Sequence, residues 1–99
     1  MSFEIFDPTL LELEHNVKLA AEIQVMHAHN IANANTKNFI PFTFDEVLQQ
    51  IVKRKDGKGL NLEEEMAAMA RNNVKDFSYV KLMAAKINIL RIVATQGRK

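Results

Sequence analysis

The sequence predicts an all-α protein, a long antiparallel helical hairpin whose N- and C-terminal helices pair like a coiled coil around a short irregular middle segment. Residues 61–96 contain neither Pro nor Gly and keep apolar residues at heptad spacing. A second apolar stretch begins at Asp7-Pro8, a pair typical of a helix start. The chain has 99 residues, 47% of them hydrophobic and 25% charged. These values fit a single folded domain.

The N-terminal part divides into a tail and a helix. Residues 1–7 form the predicted tail, which contains the apolar residues Phe3, Ile5 and Phe6. Because large apolar groups are costly to leave in water, we expect the tail to lie on a neighbouring chain, with a disordered tail as the alternative. The helix is predicted over 8–35, with Asp7 as its cap and Pro8 as its first residue.

The first helix ends in an Asn-rich stretch, 30–38. Asn side chains compete with the backbone for hydrogen bonds and tolerate left-handed conformations, so they are good helix terminators. One interpretation makes Asn30 and Asn33 plain terminators that bond only to local backbone groups. The other places both at a contact between subunits, where their amides bond across the interface. From physical chemistry alone the sequence leaves both interpretations open.

The middle segment is predicted over 36–60 and lacks strong periodicity. Residues 39–44 are aromatic and extended in character, and Pro41 prevents a helix from continuing through them. The stretch from Asp45 to Lys53 is predicted to form one or two helical turns that place Leu48, Ile51 and Val52 on one face. Residues 53–59 are charged and contain glycine, which favours a solvated loop over a phosphate site.

The C-terminal helix is predicted over 61–97, with Asn61 as its cap and Glu64 in position to complete a capping box. A helix of about 35 residues is roughly 50 Å long, too long for a core of this size to cover. Its apolar face is also wider than a two-stranded seam requires. We therefore expect other chains to complete the fold. The predicted subunit-interface residues of this helix are Met66, Met69, Asn73, Val80, Met83, Ile87 and Leu90.

The composition argues against catalysis, metal binding and nucleic acid binding. The chain has no Cys and a net charge of +1, which removes thiolate chemistry and any strong attraction to polyanions. The pair Glu12 and His15 has the spacing of a di-iron bundle ligand motif, but the chain supplies no second motif. We expect no catalytic residues, no metal ligands and no cofactor, and hence no enzyme. No apolar run is long enough for membrane insertion.

Two stretches together resemble one family. Residues 29–36, HNIANANT, resemble the NIANxxT signature that closes the N-terminal helix of bacterial flagellar axial proteins. Residues 62–73, LEEEMAAMARNN, resemble the acidic DLExEMxxMAxN run that opens the C-terminal helix of flagellar basal-body rod proteins, and residues 75–92 continue that likeness. The signature usually continues with Pro-Gly-Tyr, where this chain has Lys37, Asn38 and Phe39. Family members are also usually longer between the two helices. Because the chain carries no large inserted domain, it most resembles the proximal members of the bacterial flagellar basal-body rod protein family.

The resemblance implies a structural protein of the bacterial flagellum. Such subunits leave the cell through the flagellar type III export apparatus without a cleaved signal peptide. They polymerise in the basal body into the periplasmic rod that transmits motor torque for motility. Expected partners are further copies, other rod subunits, the rod–MS-ring adaptor and the MS ring. The alternative is a small helical coiled-coil adaptor or regulatory protein that binds one partner stoichiometrically.

Overall fold

The computed structural model describes residues 7–96, so nearly all of the predicted tail, residues 1–6, and residues 97–99 lie outside it. The elements are α1 (Pro8–Ala32), β1 (Phe42–Asp45), β2 (Gln50–Lys53) and α2 (Leu62–Gln96). The prediction of two long helices is confirmed. The prediction of a purely all-α chain with an irregular middle is wrong, because β1 and β2 form a two-stranded antiparallel sheet.

Both helices begin at the caps that the sequence predicts. Oδ1 of Asp7 accepts a hydrogen bond of 3.0 Å from the backbone N–H of Leu10, and Pro8 follows the cap. Oδ1 of Asn61 accepts one of 3.1 Å from the N–H of Glu64. These side chains satisfy amides that have no partner within the first turn of a helix.

The β-hairpin replaces the helical turns predicted for Asp45 to Lys53. Oδ1 of Asp45 accepts hydrogen bonds from the N–H groups of Val47 (2.9 Å) and Leu48 (3.0 Å), which closes a turn instead of starting a helix. Gln49 has a positive φ of 55°, which reverses the chain direction. Ile51 and Val52 then lie opposite Phe44 and Thr43. β-Branched and aromatic residues fit such cross-strand pairs well.

The two helices pair antiparallel, as three contacts along their length show. Nζ of Lys86 lies 3.0 Å from Oδ2 of Asp7, Asn72 reaches the carbonyl of Ala20, and Glu65 meets His27. The buried and half-buried residues of α2 recur at alternating steps of four and three, as in a heptad seam. We call this set the α2 seam: Glu65, Met69, Asn72, Asp76, Tyr79, Met83, Lys86 and Leu90. Five of these eight residues are polar or charged at their tips, so the contact with α1 is only partly apolar.

The molecule is elongated and its apolar interior is small. Its principal extents are 65 × 23 × 15 Å and its radius of gyration is 18.3 Å, against about 13 Å for a compact domain of this length. Its accessible surface is 7602 Å², whereas a compact protein of this mass exposes about 5,700 Å². Among the residues described, the buried hydrophobic core consists of Leu10, Ala20 and Met26.

Candidate functional site

The most completely buried side chain described is polar and lies where α1, β1 and α2 meet. Asn30, near the end of α1, is 0% exposed, and Glu65, in the first turn of α2, is 6% exposed. His27 and Arg54 complete the group around the Glu65 carboxylate. We call His27, Asn30, Arg54 and Glu65 the polar cluster. Since buried polar groups are costly unless hydrogen-bonded, the partners of each member determine what the cluster does.

Asn30 pairs with the backbone of β1 as a neighbouring strand would. Its Nδ2 donates a hydrogen bond of 2.9 Å to the carbonyl oxygen of Phe42, and its Oδ1 accepts one of 2.9 Å from the N–H of Phe42. Nδ2 also donates to Oε1 of Glu65 over 2.8 Å. One side chain therefore connects the end of α1 to both the β-hairpin and α2.

Glu65 receives donors from α1 on one oxygen and faces the chain after β2 with the other. Its Oε1 lies 2.7 Å from Nδ1 of His27 as well as 2.8 Å from Nδ2 of Asn30. An ionised carboxylate only accepts hydrogen bonds, so this contact is a hydrogen bond to carboxylate in the tautomer of His27 that has a proton on Nδ1. Nη2 of Arg54 lies 3.8 Å from Oε2. This position supplies positive charge beside a buried carboxylate.

A second buried polar contact lies two turns further along α2. Asn72 is 7% exposed, and its Nδ2 donates to the carbonyl oxygen of Ala20 over 2.8 Å and to Oε1 of Gln24 over 2.9 Å. Glu65 and Asn72 are one heptad apart on the α2 seam. The two contacts therefore fix both the rotation of α2 and its position along α1.

The chemistry of the polar cluster is that of a joint between elements. Its carboxylate and amide groups are engaged with one another and with the backbone. Across 7–96, no group of three or more His, Cys, Asp and Glu residues is placed to hold a metal ion. In the same range, neither helix is long and apolar enough to cross a membrane.

The structure separates the two Asn residues that the sequence treats alike. Asn30 belongs to the polar cluster. Its hydrogen-bond partners are Phe42 and Glu65 of the same chain, and not the local backbone groups that a helix terminator would use. Asn33 is the C-cap of α1, and its Nδ2 donates to the carbonyl oxygen of His29 over 2.9 Å. Its Oδ1 accepts from Thr36 over 3.2 Å. Asn33 therefore has the local bonds of a terminator, and a contact between subunits stays a prediction for both residues.

The predicted interface residues of α2 also fall into two sets. Met69, Met83 and Leu90 are half-buried and belong to the α2 seam. The other four are exposed, although Ile87 also lines a groove with Leu10 of α1: Met66, Asn73, Val80 and Ile87. The predicted heptad register follows the apolar residues, whereas α2 uses a line displaced by one residue, through Glu65, Asn72 and Lys86. The four exposed residues are accessible to another subunit, and their contact with one stays a prediction.

Sequence reasoning missed the polar cluster and Asn72. Glu65 looks like an ordinary acidic residue in the first turn of a helix, and no sequence motif surrounds His27. The available signal was the heptad spacing of polar residues at 65, 72, 79 and 86, which marks a continuous line on one side of the helix.

Comparison with models of known protein families finds no match for this chain, and comparison with curated proteins finds no similar sequence. The likeness to flagellar rod proteins thus depends on the two stretches quoted above, 29–36 and 62–73.

Proposed function

We propose that the chain is a structural subunit of the bacterial flagellar basal-body rod, most similar to the proximal rod protein FlgB. In this proposal it polymerises with further copies and with other rod subunits into the periplasmic shaft that transmits motor torque. Its neighbours are the rod–MS-ring adaptor and the MS ring. It reaches the rod through the flagellar type III export apparatus without a cleaved signal peptide.

The observation that carries the proposal is that the two motif-bearing stretches meet in the structure. Asn30 is the first Asn of the NIANxxT-like stretch, and Glu65 and Asn72 match the second Glu and the final Asn of the DLExEMxxMAxN pattern. These three residues are the buried polar side chains among those described. Asn30 bonds to Glu65 directly. Two distant stretches that resemble one family therefore supply the two halves of one joint.

The exposed apolar surface of α2 supports an assembled state over a monomer. Met66 is 54% exposed, Phe77 64% and Ile89 55%, although each lies on a helix. Burying one such side chain contributes about 1.5–3 kcal/mol, so a chain that leaves many of them in water gains from assembly. An asymmetric subunit that joins head to tail forms a helical filament when the contact does not close.

An adaptor that binds one partner is the rival function, and the same exposed surface would serve it. The two functions differ in stoichiometry and in cellular effect. A rod subunit should form open-ended assemblies or co-assemble with other rod proteins, whereas an adaptor should form one complex of fixed size.

The test is deletion of the gene in the bacterium that carries it, with isolation of basal bodies. We expect non-motile cells whose basal bodies keep the MS ring but lack the rod, and restoration of both by the intact gene. Antibody against the chain should label the rod of complemented cells. Motile deletion cells with complete rods would contradict the proposal, and a complex of fixed size with one partner would favour the adaptor.

A further inference from the structure

We propose that a second copy of this chain covers the exposed apolar face of α2, and that it does so with the outer face of its α1. This inference rests on the proposed function, because it takes the occupant of the face to be another subunit. It specifies which surfaces meet, which the rod proposal leaves undefined. Three observations carry it: an exposed heptad line on α2, an exposed alanine-rich line on α1, and opposite charges on the two helices.

The first observation is a second heptad line on α2, beside the α2 seam. We call it the α2 stripe: Met66, Ala70, Phe77, Val80, Ala84 and Ile87. Every one of these residues is exposed, and their positions follow the steps of three, four and seven that keep residues on one side of a supercoiled helix. A seam of this length in a soluble helix is the pattern of a helix–helix contact.

The β-hairpin leaves the α2 stripe uncovered because it lies on the other side of the α1–α2 contact. Phe44 lines a groove of about 350 Å³ together with Arg71 and Lys75 of α2. Successive residues of an α-helix are rotated by about 100°, which turns Arg71 and Lys75 away from the side of α2 that carries Phe77 and Ala84. The α2 stripe therefore faces away from the β-hairpin, and only Ile87 at its far end also borders the groove beside Leu10 of α1.

The second observation is an exposed line on α1 in which three of the five residues are alanine. We call it the α1 stripe: Lys18, Ala21, Val25, Ala28 and Ala32. All five are exposed and they also follow steps of three and four. Small side chains let a neighbouring helix approach closely, and the large Phe77, Val80 and Ile87 would fill the space above them. The two stripes are thus unlike and complementary in size.

The third observation is charge. In α1, Glu12, Glu14 and Glu22 against Lys18 give a net charge of −2. From Met66 to Gln96, five basic residues against Asp76 give a net charge of +4, and the three Glu of the first turn reduce the whole of α2 to +1. Of the five, Lys81 and Arg91 lie beside the α2 stripe by helical spacing, whereas Arg71 and Lys75 point away from it and Lys86 pairs with Asp7. Over the part that carries the stripe, two α2 helices would therefore repel each other, whereas α2 of one copy attracts α1 of the next. Charge thus selects a second copy presenting α1 as the occupant of the α2 stripe.

The experiment is photo-cross-linking between full-length chains. p-Benzoylphenylalanine replaces Phe77, which is 64% exposed, and this chain is mixed with a ¹⁵N-labelled wild-type chain before irradiation. We expect mixed-isotope cross-links into residues 14–32 of the labelled copy. Cross-linking should decrease when salt rises from about 0.05 M to about 0.5 M, because screening weakens exposed charge pairs.

Leu82 provides the matched control. It is 55% exposed but lies off the α2 stripe, so the same probe at Leu82 should give few cross-links into α1. Phe77→Asp should raise the dissociation constant (Kd) for self-association by at least about tenfold, because it places a charge in an apolar contact. Leu82→Asp should change it by no more than about twofold.

The outcomes separate this contact from the rod proposal. Cross-links into α1 in assemblies that keep growing with concentration support both. The same cross-links in a closed dimer support the contact and contradict the rod. Cross-links between two α2 helices, or a chain that gives no intermolecular cross-link at any concentration, overturn the contact, while the deletion phenotype still decides the function.

Discussion

The two ends of the helical pair are held together by different chemistry. At the end that carries β1 and β2, Asn30, Glu65 and His27 form a buried hydrogen-bonded joint. At the end near the chain termini, Leu10 of α1 lines an apolar groove together with Ile87 and Leu90 of α2, beside the ion pair of Asp7 with Lys86. The first contact is directional and permits one register, whereas the second is apolar and tolerant of small shifts.

This difference explains how a chain with little interior keeps a defined shape. Moving α2 by one turn would separate Glu65 and Asn72 from their partners on α1, at about 1–3 kcal/mol for each buried group left unpaired, while Asn30 would keep its bonds to Phe42. Few apolar contacts are then needed to select the register. The apolar residues of α2 stay available for contacts with other chains.

Asn30→Ala should produce the largest loss of stability, because it leaves both backbone groups of Phe42 unpaired and removes one donor to the acceptor Oε1 of Glu65. We expect the free energy of unfolding to fall by at least about 3 kcal/mol, measured by urea denaturation followed by circular dichroism. Asn33→Ala is the control, since the hydrogen bonds of Asn33 are exposed, and it should cost no more than about 0.5 kcal/mol. Equal losses of unfolding free energy in the two variants would contradict the view that the polar cluster stabilises the fold more than an exposed helix cap does.

Leu10→Ala tests the other end of the helical pair. Leu10 is 7% exposed, and truncating it should lower the free energy of unfolding by about 2 kcal/mol, near the lower limit for such changes because the groove around it is partly open. Leu11→Ala is the matched control, since Leu11 is 50% exposed and should cost little. If Leu11→Ala were the more damaging change, the terminal contact would have to be reassigned.

Asp76→Leu should stabilise the isolated chain. Asp76 lies on the α2 seam, and its Oδ1 is buried without a hydrogen-bond partner among the residues described. Replacing it by an apolar residue removes that cost and extends the apolar contact, so the free energy of unfolding should rise by about 1 kcal/mol. Thermal denaturation measures the change, and a lower midpoint than wild type would show that Asp76 has an unrecognised favourable contact.

The pH dependence at Asp7 is the smallest effect expected. The backbone N–H of Leu10, followed by the side chain of Lys86, holds the pKa of the Asp7 carboxyl below its ordinary value of 3.8. A lowered pKa means that this contribution to stability is complete above the ordinary value and disappears as pH falls through the lowered one. NMR titration of the Leu10 amide should show it. Asp7→Asn keeps a capping oxygen and should abolish the titration.

The sequence predicts those parts of the structure that depend on local chemistry. The caps at Asp7 and Asn61, and a helix end within the Asn-rich stretch 30–38, follow from side chains bonding to nearby backbone, although α1 ends at Ala32 and the sequence predicted a helix over 8–35. The β-hairpin does not follow, because Leu48, Ile51 and Val52 have helical spacing and the strand is fixed by the distant Asn30. The register of α2 was missed for a similar reason. Apolar periodicity favoured Met66 and Val80, while the pairing with α1 selected polar residues whose partners lie far away in sequence.

Hydrogen exchange on the dilute monomer, repeated on assembled protein, tests most directly whether the polar joint holds the monomer while other chains complete α2. We expect strong protection of amides near Asn30 and between Glu65 and Asn72 in both states. Amides of residues 80–96 should exchange rapidly in the monomer and become protected on assembly, because their apolar surface is then covered. Strong and uniform protection from Leu62 to Gln96 in a confirmed monomer would contradict this division of α2.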